Sequence, residues 1–154
     1  MGLLLASRLW PSSAPRPPEN LAEGEYHVSR VIDGDTLLLS NHARVRLMGV
    51  NTPETVKPNH AIEPWGLEAK QFTEQFIAAA AGRVNLRFDR ERVDRYGRFL
   101  AYVWIGDQML NEELLRAGLA RFEPAFYYSG SIKLRYRKAQ DEARAARRGI
   151  WSRP

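Results

Sequence analysis

The first regular alternation of hydrophobic and polar positions in the chain begins near Glu25. Tyr26, Val28 and Val31 predict a first strand. Asp33-Gly34-Asp35 has turn composition, and Thr36-Leu37-Leu38-Leu39 leaves it as a second strand. Ser40-Asn41-His42-Ala43 is a tight connection into a third strand, where Val45, Leu47 and Gly49 alternate with Arg44, Arg46 and Met48 until Thr52-Pro53 stops it. After a polar stretch over residues 55–63 the period changes. Leu67, Phe72, Phe76 and Ala80 recur at helical spacing, which predicts a helix from Pro64 to about Ala81 with that stripe buried and Gly82 as its stop. Val84, Leu86 and Phe88 then predict a fourth strand and Leu100, Tyr102 and Trp104 a fifth, joined by a loop from Asp89 to Gly97. A short helix fits Asn111 to Ala117, with Asn111 as cap and Gly118 beyond its end. A last helix fits Ser131 to Arg148 and buries Tyr136, Ala139, Ala143, Ala146 and Ile150.

Three strands, a helix, two strands and two helices is an α+β order. Five short strands with an intervening helix suit a small closed barrel of the OB type, packed with three α-helices. Residues 1–23 are expected to be a disordered leader or linker, because Pro11, Pro15, Pro17 and Pro18 sit among Ser, Ala and Arg and resist both helix and sheet. Residues 24–154 are then one folded domain. No apolar run approaches the roughly 18–20 residues of a membrane span, and the opening Met-Gly-Leu-Leu-Leu-Ala is too short, and lacks the preceding positive charge, for a secretory signal.

Charge adds a partner class. The 154 residues carry a formal net charge of +5, with a sequence pI near 9.8, a balance that favours polyanions and nucleic acid above all. From Ser131 to the end, eight Lys/Arg stand against Asp141 and Glu142, so +6 lies in that segment and −1 in the rest. Either this is the solvated face of the last helix or it is a polyanion footprint. The absence of cysteine excludes disulfides, thiolate metal sites and thiol catalysis.

Three clusters carry the chemistry. Asp33-Gly34-Asp35-Thr36 can curl two carboxylates around a hard cation, although most such tripeptides are plain turns. In Arg44-Val45-Arg46-Leu47 through Thr52-Pro53-Glu54, Arg46 lies on a strand with apolar neighbours and offers a planar fork for a phosphate, and Glu54 stands where a carboxylate can be held rigidly. Asp94-Arg95-Tyr96-Gly97-Arg98 is a turn flanked by cations, with Tyr96 able to stack on a base and Arg98 able to reach a second phosphate oxygen. Singly, each is more simply a surface turn or a solvated charge. Together they supply a cation site, two arginines and a candidate base, the equipment of phosphodiester hydrolysis.

Those three stretches, with Asn111-Glu112, Gly118-Leu119-Ala120 and Gly149-Ile150-Trp151-Ser152, resemble the staphylococcal nuclease (thermonuclease) family over about residues 25–152. The resemblance implies a five-stranded OB barrel with three helices, and calcium-dependent cleavage of DNA and RNA to 3′-phosphate ends; single strands are the expected form of the substrate, and a monomer is the default state. Asp35 resembles the main calcium carboxylate, Thr52 the ligand that uses its backbone carbonyl, and Asp33 the acid behind them. Glu54 resembles the residue that activates or positions the attacking water, and Arg46 and Arg98 resemble the two phosphate clamps. Arg95 and Tyr96 resemble substrate contacts, and Tyr128 one of a pair of substrate tyrosines, with Phe126 at the other position. The family is often secreted. The chain departs from the pattern at Asn51, which stands where the family has aspartate. Its amide oxygen can ligate calcium without charge, which implies weaker binding or tolerance of other divalent ions. The alternative function is a catalytically weak OB module that only binds nucleic acid. His27, His42 and His60 lack metal-site spacing, and Trp65, Trp104 and Trp151 are expected to pack the core.

Overall fold

The structure is a computed structural model that describes residues 14–153. The start of the proline-rich leader, including Pro11, lies outside the described residues. Residues 14–23 form no helix or strand, yet Leu21 is buried in the core and its carbonyl accepts Arg92 Nη2 at 2.7 Å. The leader is therefore tied down three residues before the first strand. Among the described residues no helix is long and apolar enough to cross a membrane.

The strands are β1 (Gly24–Asp33), β2 (Thr36–Leu39), β3 (Arg44–Leu47), β4 (Val50–Asn51), β5 (Arg83–Arg87), β6 (Phe99–Ile105), β7 (Gln108–Met109) and β8 (Arg121–Phe122). Three helices join them: α1 (Gly66–Ala78), α2 (Leu110–Arg116) and α3 (Gly130–Ala145), with a 3₁₀ turn at Gly149–Trp151. The sheet runs β3-β2-β1-β5-β6, and a parallel pairing of β3 with β6 closes it. This is the expected α+β fold, a closed five-stranded barrel with three helices, and two-residue strands extend it. The ten-residue β1 serves two partners. Irregular register near Val28–Arg30 and Val31–Asp33 bends it, so one end pairs with β2 and the other with β5.

Alternation delivers the core. Val84 and Leu86 of β5 point inward while Arg83, Asn85 and Arg87 face solvent. Leu37, Leu39, Val45, Leu47, Leu86 and Leu100 are fully or nearly fully buried, and α2 closes the barrel with Leu110, Leu114 and Leu115. Asn111 is not a helix cap. It is wholly buried, accepts Val103 N–H at 3.0 Å and donates to the Met48 and Ala101 carbonyls at 3.1 Å each, so its amide ties α2 to the barrel.

Two helices differ from the pattern-based expectation. Helix α1 buries Gly66, Ala69, Thr73 and Ile77, whereas Leu67 is 49% exposed and Phe72 and Phe76 only flank the buried stripe. The contact surface is the β1–β2 turn, which admits only small side chains: a Cβ on Gly34 would come within 2.9 Å of Ala69 Cβ. Hydrophobicity therefore picks the wrong face. Helix α3 ends at Ala145, and Ala146 is exposed. The chain turns at Arg147 and Gly149, both with positive φ, because Gly149 lies so close to the Gly118 carbonyl that a Cβ would sit 2.1 Å from that oxygen.

Candidate active site

The β1–β2 turn places Asp33 and Asp35 at one end of the barrel, and both are buried. Asp33 accepts the Gly34 N–H at 3.0 Å and the Thr55 hydroxyl at 2.7 Å. Asp35 accepts the Thr36 hydroxyl and the Thr52 N–H, each at 2.9 Å, and lies 3.2 Å from Arg46 Nη2. Thr73 of α1 donates to the Gly34 carbonyl at 2.6 Å, so the helix that packs on this turn also fixes it.

Arg46 is carried by β3 and is 7% exposed. Its Nη1 donates to the Leu47 and Val50 carbonyls at 2.9 and 2.6 Å, and its Nη2 donates to Asn51 Oδ1 at 3.1 Å. Thus the guanidinium spans β3, β4 and the β1–β2 turn, and its fork is already engaged by the protein. Asn51, at the departure from the family pattern, spends its amide oxygen on this arginine.

Arg98 enters the same space from the other side of the parallel β3–β6 seam. Val45 pairs with Phe99 across that seam, and the residues just before them, Arg44 and Arg98, line the same cavity. Asp94 holds Arg98 in place: its Oδ1 accepts the Tyr96 and Arg98 N–H groups and its Oδ2 accepts Arg98 Nε at 2.7 Å. That bond uses Nε and leaves the terminal nitrogens for an anion. Tyr96 is 63% exposed, its hydroxyl accepts Arg95 Nη2 at 2.7 Å, and the Arg95 and Arg98 guanidinium carbons lie 4.9 and 5.3 Å from its ring centroid.

A cavity of about 310 Å³ unites these groups: Asp33, Asp35, Glu54, Asn51, Arg44, Arg46 and Arg98 all line it. Burial, followed by the charges of Asp33 and Asp35, raises the Glu54 carboxyl above its ordinary range, and Glu63 adds to the shift. Glu63 also accepts the Glu54 N–H at 2.9 Å. Arg44 and Glu63 were not singled out from the sequence; Arg44's place one step before Val45 on β3 is the signal that finds it.

Tyr128 is not brought to this cavity. Its ring is buried against Tyr136 and Gly49, and its hydroxyl donates to the Glu123 carbonyl at 2.8 Å. The tryptophans divide. Trp104 and Trp151 are half-buried and covered by arginines, Trp104 by Arg87 and Arg135 and Trp151 by Arg121 and Arg144. Trp65 is 37% exposed instead of packed in the core, because it caps α1 at φ 70° and turns outward.

Residues 44–153 match the family model described as Staphylococcal nuclease homologue. The chain belongs to this family. It is 42% identical over 139 residues to the Thermonuclease of Staphylococcus hyicus, covering 86% of this chain and 79% of that one. It is 47% identical over 133 residues to the Thermonuclease of Staphylococcus intermedius, covering 83% and 76%. The Endonuclease YncB of Bacillus subtilis (strain 168) is 37% identical over 131 residues, 81% of this chain and 60% of the relative. The matched stretch of the family model opens at β3, so Asp33 and Asp35 lie ahead of it while Arg46, Glu54 and Arg98 lie within.

Proposed function

We propose that this staphylococcal nuclease homologue is a nuclease that hydrolyses phosphodiester bonds in DNA and RNA, works with a divalent cation, calcium first, and leaves 3′-phosphate ends. One observation carries the reading: Asp33, Asp35 and Glu54 share a cavity with Arg44, Arg46 and Arg98. Carboxylates alone would repel a phosphodiester, and arginines alone would bind it without activating water. The cavity's small volume favours an unpaired strand, which can offer one phosphate at a time.

The residues suit a hard cation. The donors are oxygens, Glu54 is raised partly by two neighbouring carboxylates, and Thr52 Oγ1 is buried without a hydrogen-bond partner. Among the described residues no three acidic or histidine side chains close into a ready-made cage. In this reading the Asp35 carboxylate, the Thr52 backbone carbonyl and the Asn51 amide oxygen would hold the cation, with Asp33 behind them. Bound there, the cation supplies Lewis-acid polarisation of the phosphoryl oxygen.

Glu54 orients the attacking water and receives its proton as the P–O5′ bond breaks, and the departing 5′-oxygen takes up a proton from solvent; the first task suits a carboxylate more basic than usual. The terminal nitrogens of Arg98 hold a phosphoryl oxygen as negative charge builds on it. Arg46 contributes a second fork edge once Asp35 and Asn51 release its Nη2. Arg95 and Tyr96 receive the neighbouring nucleotide, with Tyr96 offering its ring to a base. Tyr128 has no substrate role in this reading and packs against Tyr136 and Gly49.

The test is degradation of single-stranded DNA and RNA by purified protein with calcium, with magnesium and with chelator. The expected result is calcium-dependent cleavage with 3′-phosphate products. Binding without cleavage in every metal would replace this reading with a nucleic-acid-binding module. Near-normal rates in both Glu54→Gln and Arg98→Ala would overturn the residue roles.

A further inference from the structure

Beyond the catalytic cavity lies a larger one of about 770 Å³, and Asn51 lines both. Three parts of the chain enclose it. Asn51, Thr52 and Pro53 come from β4 and the turn after it. Glu63, Pro64, Trp65 and Glu68 come from the approach to α1 and its first turn, and Arg121, Ile150, Ser152 and Arg153 from β8 and the C-terminal segment. We propose that this second cavity is a nucleotide subsite that receives the substrate strand where it runs on from the bond being cleaved. The inference rests on the nuclease reading above and extends it.

Four observations carry it. First, the two cavities share a wall: Asn51 lines both, and Asn51 of β4 pairs with Arg121 of β8, which lines the larger one. The substrate strand would pass from the Arg98 side of the smaller cavity over Asn51 to reach Arg121. Second, Trp65 is placed for stacking. It holds φ 70°, a conformation a bulky side chain rarely adopts, and its indole stays 37% exposed beside the cavity when packing it away would bury apolar surface. An aromatic ring beside a nucleotide-sized cavity suits any base, since every base has a π-face.

Third, the cavity is polar in a sense that orients a nucleotide. Arg121 lines it from β8 and Arg153 from the C-terminal segment, while Glu63 and Glu68 line it from the approach to α1 and its first turn. Phosphate is drawn to the arginine side and repelled from the glutamate side, where the exocyclic amino groups of bases meet carboxylate acceptors. Fourth, Arg121 is preorganised. Its guanidinium carbon lies 4.6 Å from the Trp151 ring centroid, with Arg144 at 4.9 Å from that ring. Stacking occupies the face of the guanidinium and leaves its N–H edge for a phosphate oxygen. The volume lies within the range of pockets that hold small organic ligands, about 300–1,000 Å³.

A distal subsite acts only on substrates long enough to reach it. The experiment compares kcat/KM for a dinucleotide and for a 20-nucleotide single strand, in wild type, Trp65→Gly, Trp65→Phe and Arg121→Gln. Glycine at position 65 removes the indole and suits the positive φ, so folding is preserved, and phenylalanine keeps a stacking face. Expected is a loss of roughly tenfold or more on the long strand in Trp65→Gly, the scale of one lost base stack. Activity on the dinucleotide should stay within about twofold, with most of the long-strand rate restored in Trp65→Phe and a salt-dependent loss on the long strand alone in Arg121→Gln. Equal losses on both substrates, or no loss on either, overturn the subsite while leaving the nuclease reading intact. A wild-type chain that cleaves neither substrate overturns both.

Discussion

Arg46 and Arg98 share a cavity and a proposed role, yet replacing them should have unlike effects on folding. Arg46 and Asp35 have side chains only 9% and 7% exposed, and the same guanidinium binds the Leu47 and Val50 carbonyls. Removing one partner of a buried pair leaves an uncompensated charge and costs about 3–5 kcal/mol. Asp35 keeps the Thr36 hydroxyl and the Thr52 N–H, which sets the loss for Arg46→Ala near the lower bound, about 3 kcal/mol. For a domain of this size that lowers Tm by about 10 °C. Arg98 is 26% exposed and pairs with Asp94 at i,i+4, and Asp94 retains the Tyr96 N–H when the arginine goes. Asp94 is itself only 9% exposed but also keeps the N–H of residue 98, so losing the pair should cost about 1 kcal/mol and Arg98→Ala should melt within about 4 °C of wild type. Both variants should lose at least about 10²-fold in cleavage rate. Urea unfolding and cleavage kinetics on the same preparations decide it. An Arg46→Ala protein that unfolds at the wild-type midpoint would refute the account of Arg46 as the tie between β3, β4 and the β1–β2 turn.

Three further outcomes are expected. Gly34→Ala forces Ala69 and Thr52 outward from contacts of 2.9 Å and should cost about 1–3 kcal/mol in thermal melts, with Ala69→Gly in the same chain recovering part of it. Asn51→Asp restores a charge beside Asp35 and should tighten calcium binding by calorimetry; an unchanged affinity would show that the amide is not a holder of the cation. Burial raises the Asp89 carboxyl, but the Ser129 N–H, the Tyr102 hydroxyl and the Arg90 N–H and charge outweigh it and hold it below its ordinary value. Its contribution to stability is therefore present above the unfolded carboxyl's pKa and is lost as pH falls through the lower, folded one. Asp89→Asn should be less stable than wild type at pH 7, with the difference shrinking below about pH 4.

How much of this was readable beforehand depended on where the physics is local. Alternation placed the five barrel strands, because each buries one face of a pleat whatever its neighbours are. The chemistry-bearing clusters were readable as stretches, and three of them in order identified the family. Their convergence was not, because it depends on a parallel seam between β3 and β6, which are far apart in the chain. That is why neither stretch alone shows that Arg44 and Arg98 line one cavity. Helix α1 failed for a related reason. Its buried face is chosen by the tight β1–β2 turn and not by apolar area, so Ala69 and Thr73 lie inside while Leu67 faces water. Asn111, read as a cap, proved to be a buried bridge whose partners, Met48, Ala101 and Val103, come from two other parts of the chain.

The basic C-terminal segment posed a choice between a solvated face and a polyanion footprint, and the structure divides it. Arg135 pairs with Glu112 at 2.6 Å, Arg148 donates to the Arg116 carbonyl at 2.9 Å and Lys133 to the Pro124 carbonyl at 3.0 Å. Arg137 stacks over Phe122 and Arg144 over Trp151. Much of the surplus charge is therefore spent on docking α3, and its sum overstates what a nucleic acid would meet there. The arginines better placed for a strand are Arg121 and Arg153, the first outside the charge-rich segment and the second at its end, because they border a cavity that shares Asn51 with the one holding the carboxylates and Arg98. Net charge predicts the class of partner, but the position of that partner follows from which cations retain an unoccupied edge after folding.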